Sequence, residues 1–335
     1  MLDRGPSHVS RPMISQWSIG VSLLQADIFE QKVSDYERVL DMASKRKVII
    51  TVAQTGNFQG KAANPGLPEQ PSEIISSAYD CYNAGASIVH IHARDKSGNS
   101  SNDPNIFAEI NTGVRAKCPI IIQNSTAPAM GPDSKADDGV ALLDMKDKSC
   151  LPEMCSLDCS LITTVWGELS FIYRWERAWL LKNAKKMMDL GIKPECEVFN
   201  PSSIEEVFNV LVPAGVIPEP VSLTFVMGMN KVSQGAISFS QPNLDFMISL
   251  LPKDRPVNWS TMAIGAHQLQ GVTYGLLKGG SVRVGLEDNI YYSHGELAKS
   301  NAQLVERMVR IIHELDMDVA TPDEAREILK LRPLK

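Results

Sequence analysis

From residue 47 onward the chain repeats one pattern: a short apolar run, a polar loop, a stretch with apolar residues every three or four positions, then another apolar run. Short apolar runs bounded by Gly, Pro and Ser read as strands, and the 3.6-residue period between them reads as amphipathic helix. The strand candidates are "KVIITVA" (47–53), "SIVHIHA" (87–93), "PIIIQNS" (119–125), "EMCSLDC" (153–159), "ECEVF" (195–199), "VSLTFVM" (221–227), "PVNWSTMA" (256–263) and "SVRVG" (281–285). The first helix is expected in "PSEIISSAYDCYNAGA", with Pro71 at its first turn and Gly85 as its stop. Further helices are predicted over 103–117, over 135–149, and through "RWERAWLLKNAKKMMDLG", "SIEEVFNVLV", "NLDFMISLL", "HQLQGVTYGLLKGG" and "GELAKSNAQLVERMVRIIHEL".

Eight strand–helix units without a break predict an α/β fold, a (β/α)8 TIM barrel over residues 47–335. "TPDEAREILKL" predicts a short extra C-terminal helix, with Thr321 as N-cap, Pro322 at N1 and Glu324 closing a capping box. Residues 1–46 precede the barrel and are expected to form an N-terminal accessory segment packing on it or on a neighbouring subunit. No Pro/Gly/Ser linker or low-complexity tract divides the rest.

In such barrels the chemistry gathers at the C-terminal ends of the strands. The second strand carries His90 and His92 there, two of only six histidines. Residues i and i+2 of a strand share a face, so both imidazoles aim one way while Val89 and Ile91 face the other. The eighth strand runs into "RVGLEDN", with Arg283, Glu287 and Asp288. Strands two and eight both flank strand one in a closed barrel, so two imidazoles and Glu287 predict a His2Glu metal set with an open position. That is a catalytic rather than structural zinc arrangement, and another divalent transition metal would also suit it. The competing readings are a hydrogen-bonded core histidine pair and a solvated acidic loop.

The third strand leads into "QNSTAPAMG", where Ser125 and Thr126 can offer hydroxyls and backbone N–H groups to a carboxylate. Ser156 lies on the fourth strand. Glu195 and Glu197 sit two apart on the fifth, and a carboxylate aimed into a barrel is costly unless paired or used, which makes Glu197 a candidate substrate contact. Residues 163–175 are rich in aromatics and suit either a cover over a substrate tail or helix packing. His267, His294 and His313 receive no role.

A net charge of −6 argues against nucleic acid as the main partner. No apolar run approaches the ~20 residues that span a bilayer, and the N-terminus lacks a signal peptide's apolar core. The six cysteines form no C-x-x-C and lie mostly in apolar segments, which predicts reduced thiols and a cytoplasmic protein.

The segments "ITVAQTG", "NPGLPEQPSEI", "AGASIVHIHARD", "IIIQNSTAPAMG", "PECEVF" and "VRVGLEDNIYY" closely resemble the β-keto acid cleavage enzyme family, over residues 47–331. The resemblance implies a zinc-containing TIM barrel, commonly a homotetramer, that condenses a β-keto acid with acetyl-CoA, moves CoA to the new acyl group and releases acetoacetate by retro-Claisen cleavage. It places the zinc ligands on His90, His92 and Glu287, the catalytic aspartate on Asp288, its arginine partner on Arg283 and a substrate-binding serine of the proton relay on Ser125. A family threonine near the substrate carboxylate falls on Ser156. One amine-binding glutamate of the lysine-fermentation members falls on Glu197, whereas Phe58 (or the adjacent Gln59) stands where the other would be. Ala266 stands where the family has an arginine. Phe58 therefore predicts an apolar or bulkier substrate tail, with Glu197 making one amine or hydroxyl contact. Two other functions fit an H-x-H barrel: a metal-dependent hydrolase of the amidohydrolase type, and a ligand-binding barrel without catalysis. The first needs H-x-H on strand one and histidines on strands five and six; the second needs neither Arg283 nor Asp288.

Overall fold

The computed structural model describes residues 45–131, 133–166 and 169–332. The expected accessory segment, save its last residues, lies outside the described residues.

The barrel strands are β1 (Ile50–Ala53), β2 (Ile88–Ile91), β3 (Ile121–Asn124), β4 (Met154–Asp158), β5 (Lys193–Val198), β6 (Val221–Met227), β7 (Val257–Ala263) and β8 (Ser281–Val284). They pair in parallel and close on themselves, β8 hydrogen-bonded to β1 and β4 to β5, as a TIM barrel does. Each strand is followed by its helix: α1 (Pro71–Asn83), α2 (Pro104–Arg115), α3 (Ala136–Gly139), α4 (Arg177–Leu190), α5 (Pro201–Glu206), α6 (Gln241–Ser249), α7 (Gln268–Leu277) and α8 (Asn301–Glu314). The outward residues of the strands, among them Val89, Ile91, Ile122, Leu157, Val198 and Phe225, pack against helix residues such as Ile74, Phe107, Ile110, Leu180 and Met308 in one continuous core.

Local chemistry explains the element ends. Pro71 opens α1, Glu73 accepts from the backbone N–H of Gln70 at 3.1 Å, and Gly85 takes φ +108° just past the end. The extra helix α9 (Pro322–Leu329) begins as its sequence predicts: Thr321 N–H donates to Glu324 Oε2 at 2.8 Å, and Glu324 N–H donates to Thr321 Oγ1 at 3.2 Å.

Three expectations change. The helix predicted over 135–149 is only the short α3, followed by two 3-10 turns, Ala141–Asp144 and Lys148–Cys150. Residues 161–174 form a β-hairpin, Leu161–Trp166 antiparallel to Leu169–Arg174, with Ser233–Gln234 added from the β6 loop. The β-branched and aromatic run "LITTVW" favours strand pairing. Finally, α8 starts at Asn301 after the Ser300 cap; the preceding Glu296–Leu297 pairs with Tyr291–Ser293.

Helix α9 closes the N-terminal end of the barrel. Ala325 and Leu329 meet Ile49, Ile88, Ile121 and Met154 in a separate apolar cluster, so that end holds a packed plug rather than an opening. All six cysteines are free thiols, five of them buried. No helix among the described residues is long and apolar enough to cross a membrane.

Candidate active site

Strand alternation and strand order together build the site. Ala53 at the end of β1 is registered against His90 on β2, and Arg283 on β8 against Thr51 on β1. The residues just past β2 and β8 therefore meet above β1. The turn out of β8 depends on Gly285, whose φ is +149° and where any Cβ would lie 1.9 Å from the Ala53 carbonyl oxygen. Glu287 then folds back over the β1 loop; a Cβ on Gly56 would stand 2.6 Å from Glu287 Cγ, so this approach requires glycine too.

His90 Nε2 lies 3.7 Å from Glu287 Oε2, and His92 Nε2 lies 3.5 Å from Glu287 Oε1. One ligand atom from each of the three falls within 4.8 Å of the others. The opposite ring nitrogens are already committed. His90 Nδ1 hydrogen-bonds Gln123 Oε1 at 2.8 Å, and His92 Nδ1 hydrogen-bonds Asn57 Oδ1 at 3.1 Å. An amide oxygen can only accept, so each Nδ1 carries the proton and each Nε2 presents a lone pair. Burial, reinforced by Arg283, holds the His90 pKa down at about 3 and keeps that ring neutral. Glu287 Oε2 is buried and receives no hydrogen bond from the described residues. An orphaned carboxylate oxygen facing two imidazole lone pairs fits a divalent cation and fits a core histidine pair poorly.

Arg283 organises the acids. Its Nε and Nη2 donate to the two oxygens of Asp288 at 3.1 and 3.0 Å, Nη2 also donates to Glu287 Oε1 at 2.6 Å, and Nη1 donates to Glu197 Oε1 at 2.9 Å. Burial opposes the guanidinium charge, but three carboxylates outweigh it and keep Arg283 protonated. Burial likewise pushes Asp288 up to about 6 against the pull of Arg283, placing it where a carboxylate can both hold and release a proton. Burial would also raise Glu287, yet Arg283 brings it well below the ordinary carboxylate range.

These residues open onto a cavity of about 190 Å³ at the C-terminal ends of the strands. His90, His92, Glu287, Arg283, Asp288, Ser125, Glu197 and Phe58, all expected from the sequence, line it. Thr126 and Ser156 do not. The Thr126 hydroxyl donates to the Ser156 carbonyl at 2.6 Å, and Ser156 Oγ accepts from Thr126 N–H at 3.2 Å. These two contacts tie the loop after β3 to β4, and neither residue lines the cavity. Arg94 is also structural: buried, it donates to Thr55 and to the carbonyls of Gly56, Gln59 and Gly98, holding the loop that presents Asn57 and Phe58.

Gln123 and Asp158 were not anticipated as contributors, whereas the aromatic stretch over 163–175 was a candidate cover. Gln123 bridges His90 to Glu195, which also accepts from Thr224. Tyr173 and Trp175, from and just after the hairpin, form a wall of the cavity with Ile162 and Phe199, so the aromatic stretch covers the ligand space. Asp158, 4% exposed at the end of β4, lines the cavity opposite Glu197. The alternation Met154, Ser156, Asp158 was the available signal for it.

The closed barrel and this cluster define a TIM-barrel enzyme with its chemistry at the strand C-termini. The hydrolase alternative lacks its ligands, because β5 and β6 contain no histidine. The model of the beta-keto acid cleavage enzyme family matches residues 47–331, and the chain belongs to that family. It is 38% identical over 288 residues to the 3-keto-5-aminohexanoate cleavage enzyme of Fusobacterium nucleatum, covering 85% of this chain and 98% of that protein. It is 30% identical over 309 residues to the 3-dehydrocarnitine:acetyl-CoA trimethylamine transferase of Rhizobium meliloti (87% and 99%), and 32% identical over 288 residues to the 3-oxoadipate:acetyl-CoA acetyltransferase of Cupriavidus necator (84% and 94%). Among solved structures, the complex of ObcA with oxaloacetate superposes with a TM-score of 0.71 at 18% identity, over 80% of this chain and 68% of that one, a likeness of fold.

Proposed function

We propose that this chain condenses a β-keto acid with acetyl-CoA, transfers CoA to the keto acid's acyl group and releases acetoacetate by retro-Claisen cleavage, with zinc held by His90, His92 and Glu287. The observation that carries this reading is Arg283 gripping Asp288 through two hydrogen bonds, 3.1 and 3.0 Å, beside the ligand triad. A binder needs a metal site but has no use for a buried base held ready by a guanidinium.

Asp288 accepts the proton from the carbon between the carboxylate and the ketone. Arg283 keeps both of its oxygens fixed and sustains the charge that makes it a base. Zinc, when bound, polarises the ketone oxygen and lowers the cost of charge developing there. Ser125, whose Oγ accepts from Ala127 N–H at 3.2 Å, retains its own proton to donate to the substrate carboxylate. The acyl transfer passes through an adduct of the two substrates, so no cysteine is needed as a nucleophile; the thiols of Cys155 and Cys159 are buried and pushed far up in pKa. Phe58 and the aromatic wall support a substrate with a substantial apolar tail.

The test incubates zinc-loaded protein with acetyl-CoA and a panel of β-keto acids and assays acetoacetate. Cleavage of at least one acid, abolished in Asp288→Asn, is expected. No acetoacetate from cationic, neutral or anionic tails would refute the reaction.

A further inference from the structure

The closed end of the barrel carries positive charge that no acid answers. A cavity of about 90 Å³ lies there between the α4–β5 turn, the loop before β6 and the residues that follow α9. Its apolar walls are Met188, Ile192, Pro218 and Leu331, and three cationic residues line it with them: Lys193, Lys330 and Arg332. No Asp or Glu does. Elsewhere at this end the charges are matched. Arg326 of α9 meets Glu153 at 2.7 Å and Asp323 at 2.9 Å, and Lys47 meets Glu324 at 3.0 Å. Lys193, Lys330 and Arg332 enter no ion pair among the described residues.

Lys193 makes the strongest demand. It begins β5 and is 6% exposed, and its Nζ is buried with no hydrogen-bond partner among the described residues. An ammonium has three N–H donors, and burying it unpaired is costly. Burial, with the Lys330 charge adding to it, lowers its pKa from 10.5 to about 8, which leaves it a cation at neutral pH. The backbone brings in the other two charges. Gly191 ends α4 at φ +82°, and a Cβ there would stand 3.0 Å from Arg332 Nη1, so the guanidinium lies close against a glycine. Lys330 takes φ +51° just past α9, a left-handed position that glycine fills at lower cost.

Three cations around one small cavity suit a compact anion of more than one charge. A phosphoryl group carries nearly two negative charges at neutral pH, and its oxygens match lysine ammoniums and the fork of an arginine. We propose that this cavity is a phosphate-binding site in which Lys193, Lys330 and Arg332 hold a phosphoryl dianion. The group is free phosphate or the phosphoryl end of a small monoester, which present the same oxygens. When bound, it ties the α4–β5 turn to the chain after α9. The site lies at the opposite end of the strands from His90 and Asp288 and is independent of the proposed reaction.

The test titrates inorganic phosphate, methyl phosphate and acetate into the whole chain by calorimetry, with chloride holding ionic strength constant, and follows Tm alongside. Phosphate is expected to bind saturably and to raise Tm, with acetate at least ~10-fold weaker. Lys193→Met should weaken phosphate at least ~10-fold in folded protein, because methionine suits the hydrocarbon around that side chain. Lys330→Gly should raise Tm without phosphate, by relieving the left-handed residue, and weaken phosphate binding about 3-fold or more. A residue with only a structural role would not move those two readings in opposite directions. Methyl phosphate as tight as phosphate identifies a monoester as the source, and methyl phosphate at least ~10-fold weaker identifies free phosphate; either supports the site. No saturable binding of either phosphate, acetate as tight as phosphate, or unchanged phosphate affinity in folded Lys193→Met and Lys330→Gly overturns it.

Discussion

The two ends of the barrel are made from the same strands and are chemically opposite. On β2, Ile88 and His90 share one face; Ile88 sits in the apolar plug under α9, whereas His90 sits two residues further on in the candidate metal-binding triad. β4 repeats this, with Met154 in the plug and Asp158 on the cavity wall. Between the two ends, Gln123, Glu195, Thr224 and Ser260 form a buried polar layer linked by hydrogen bonds. The closed end is dominated by the apolar plug, although Lys193 Nζ, at the start of β5, is buried without a hydrogen-bond partner among the described residues. At the open end Glu287 Oε2 has no partner among the described residues, and the Asp158 carboxyl on the cavity wall is partnered by another acid, Glu197. A polar group left unmet in a buried wall costs stability, and one that faces a cavity can be completed by a ligand.

Mutations at the two ends should separate activity from stability. Asp288→Asn keeps the shape but removes the proposed base, and kcat should fall by about 10²–10⁴ with little change in Tm, as steady-state assay and thermal melting would show. At the closed end Leu329→Ala should do the reverse, costing about 2–5 kcal/mol in denaturant unfolding while the specific activity of the folded fraction is kept. Should it abolish activity in fully folded protein, the division between the ends would fail. Gln123→Ala joins the two regions: losing the partner of His90 Nδ1 should weaken zinc binding about 10–100-fold in chelator competition. Thr321→Ala removes the α9 cap and should cost about 1 kcal/mol of stability, leaving zinc affinity unchanged.

The smallest effect is on the outer surface. Lys61 and the backbone N–H groups of Glu69 and Gln70 bring the Glu73 carboxyl from 4.5 to about 2. A depressed folded-state pKa adds stability above the unfolded value, and that stability is lost as pH falls from about 4.5 to about 2. The Tm difference between wild type and Glu73→Gln should therefore be small above pH 4.5, shrink through that window and be reduced by salt, since Lys61 is exposed.

Much of this was legible in the chain. The eight strands follow from apolar runs whose length and spacing leave no alternative period, and His90, His92, Arg283, Glu287 and Asp288 follow from their position at strand ends. The hairpin over 161–174 was not legible, because aromatic residues between a strand and a helix suit either packing. Nor were the contacts of Thr126 and Ser156, whose hydroxyls could reach a ligand or a neighbouring backbone group with equal chemical sense. Asp158 was overlooked although the alternation of β4 already turned it inward.

What the sequence by itself determined is local and periodic: strand, helix and cap, and which side chains of a strand share a face. Those follow from backbone geometry and solvent exclusion acting over a few residues. Which hydroxyl is consumed internally, which carboxyl meets Arg283 and which is left facing the cavity were decided only by closure of the barrel. Closure brings β8 beside β1 and β4 beside β5, and in a low-dielectric interior the free energy of each charge is set by the neighbours that only tertiary structure supplies.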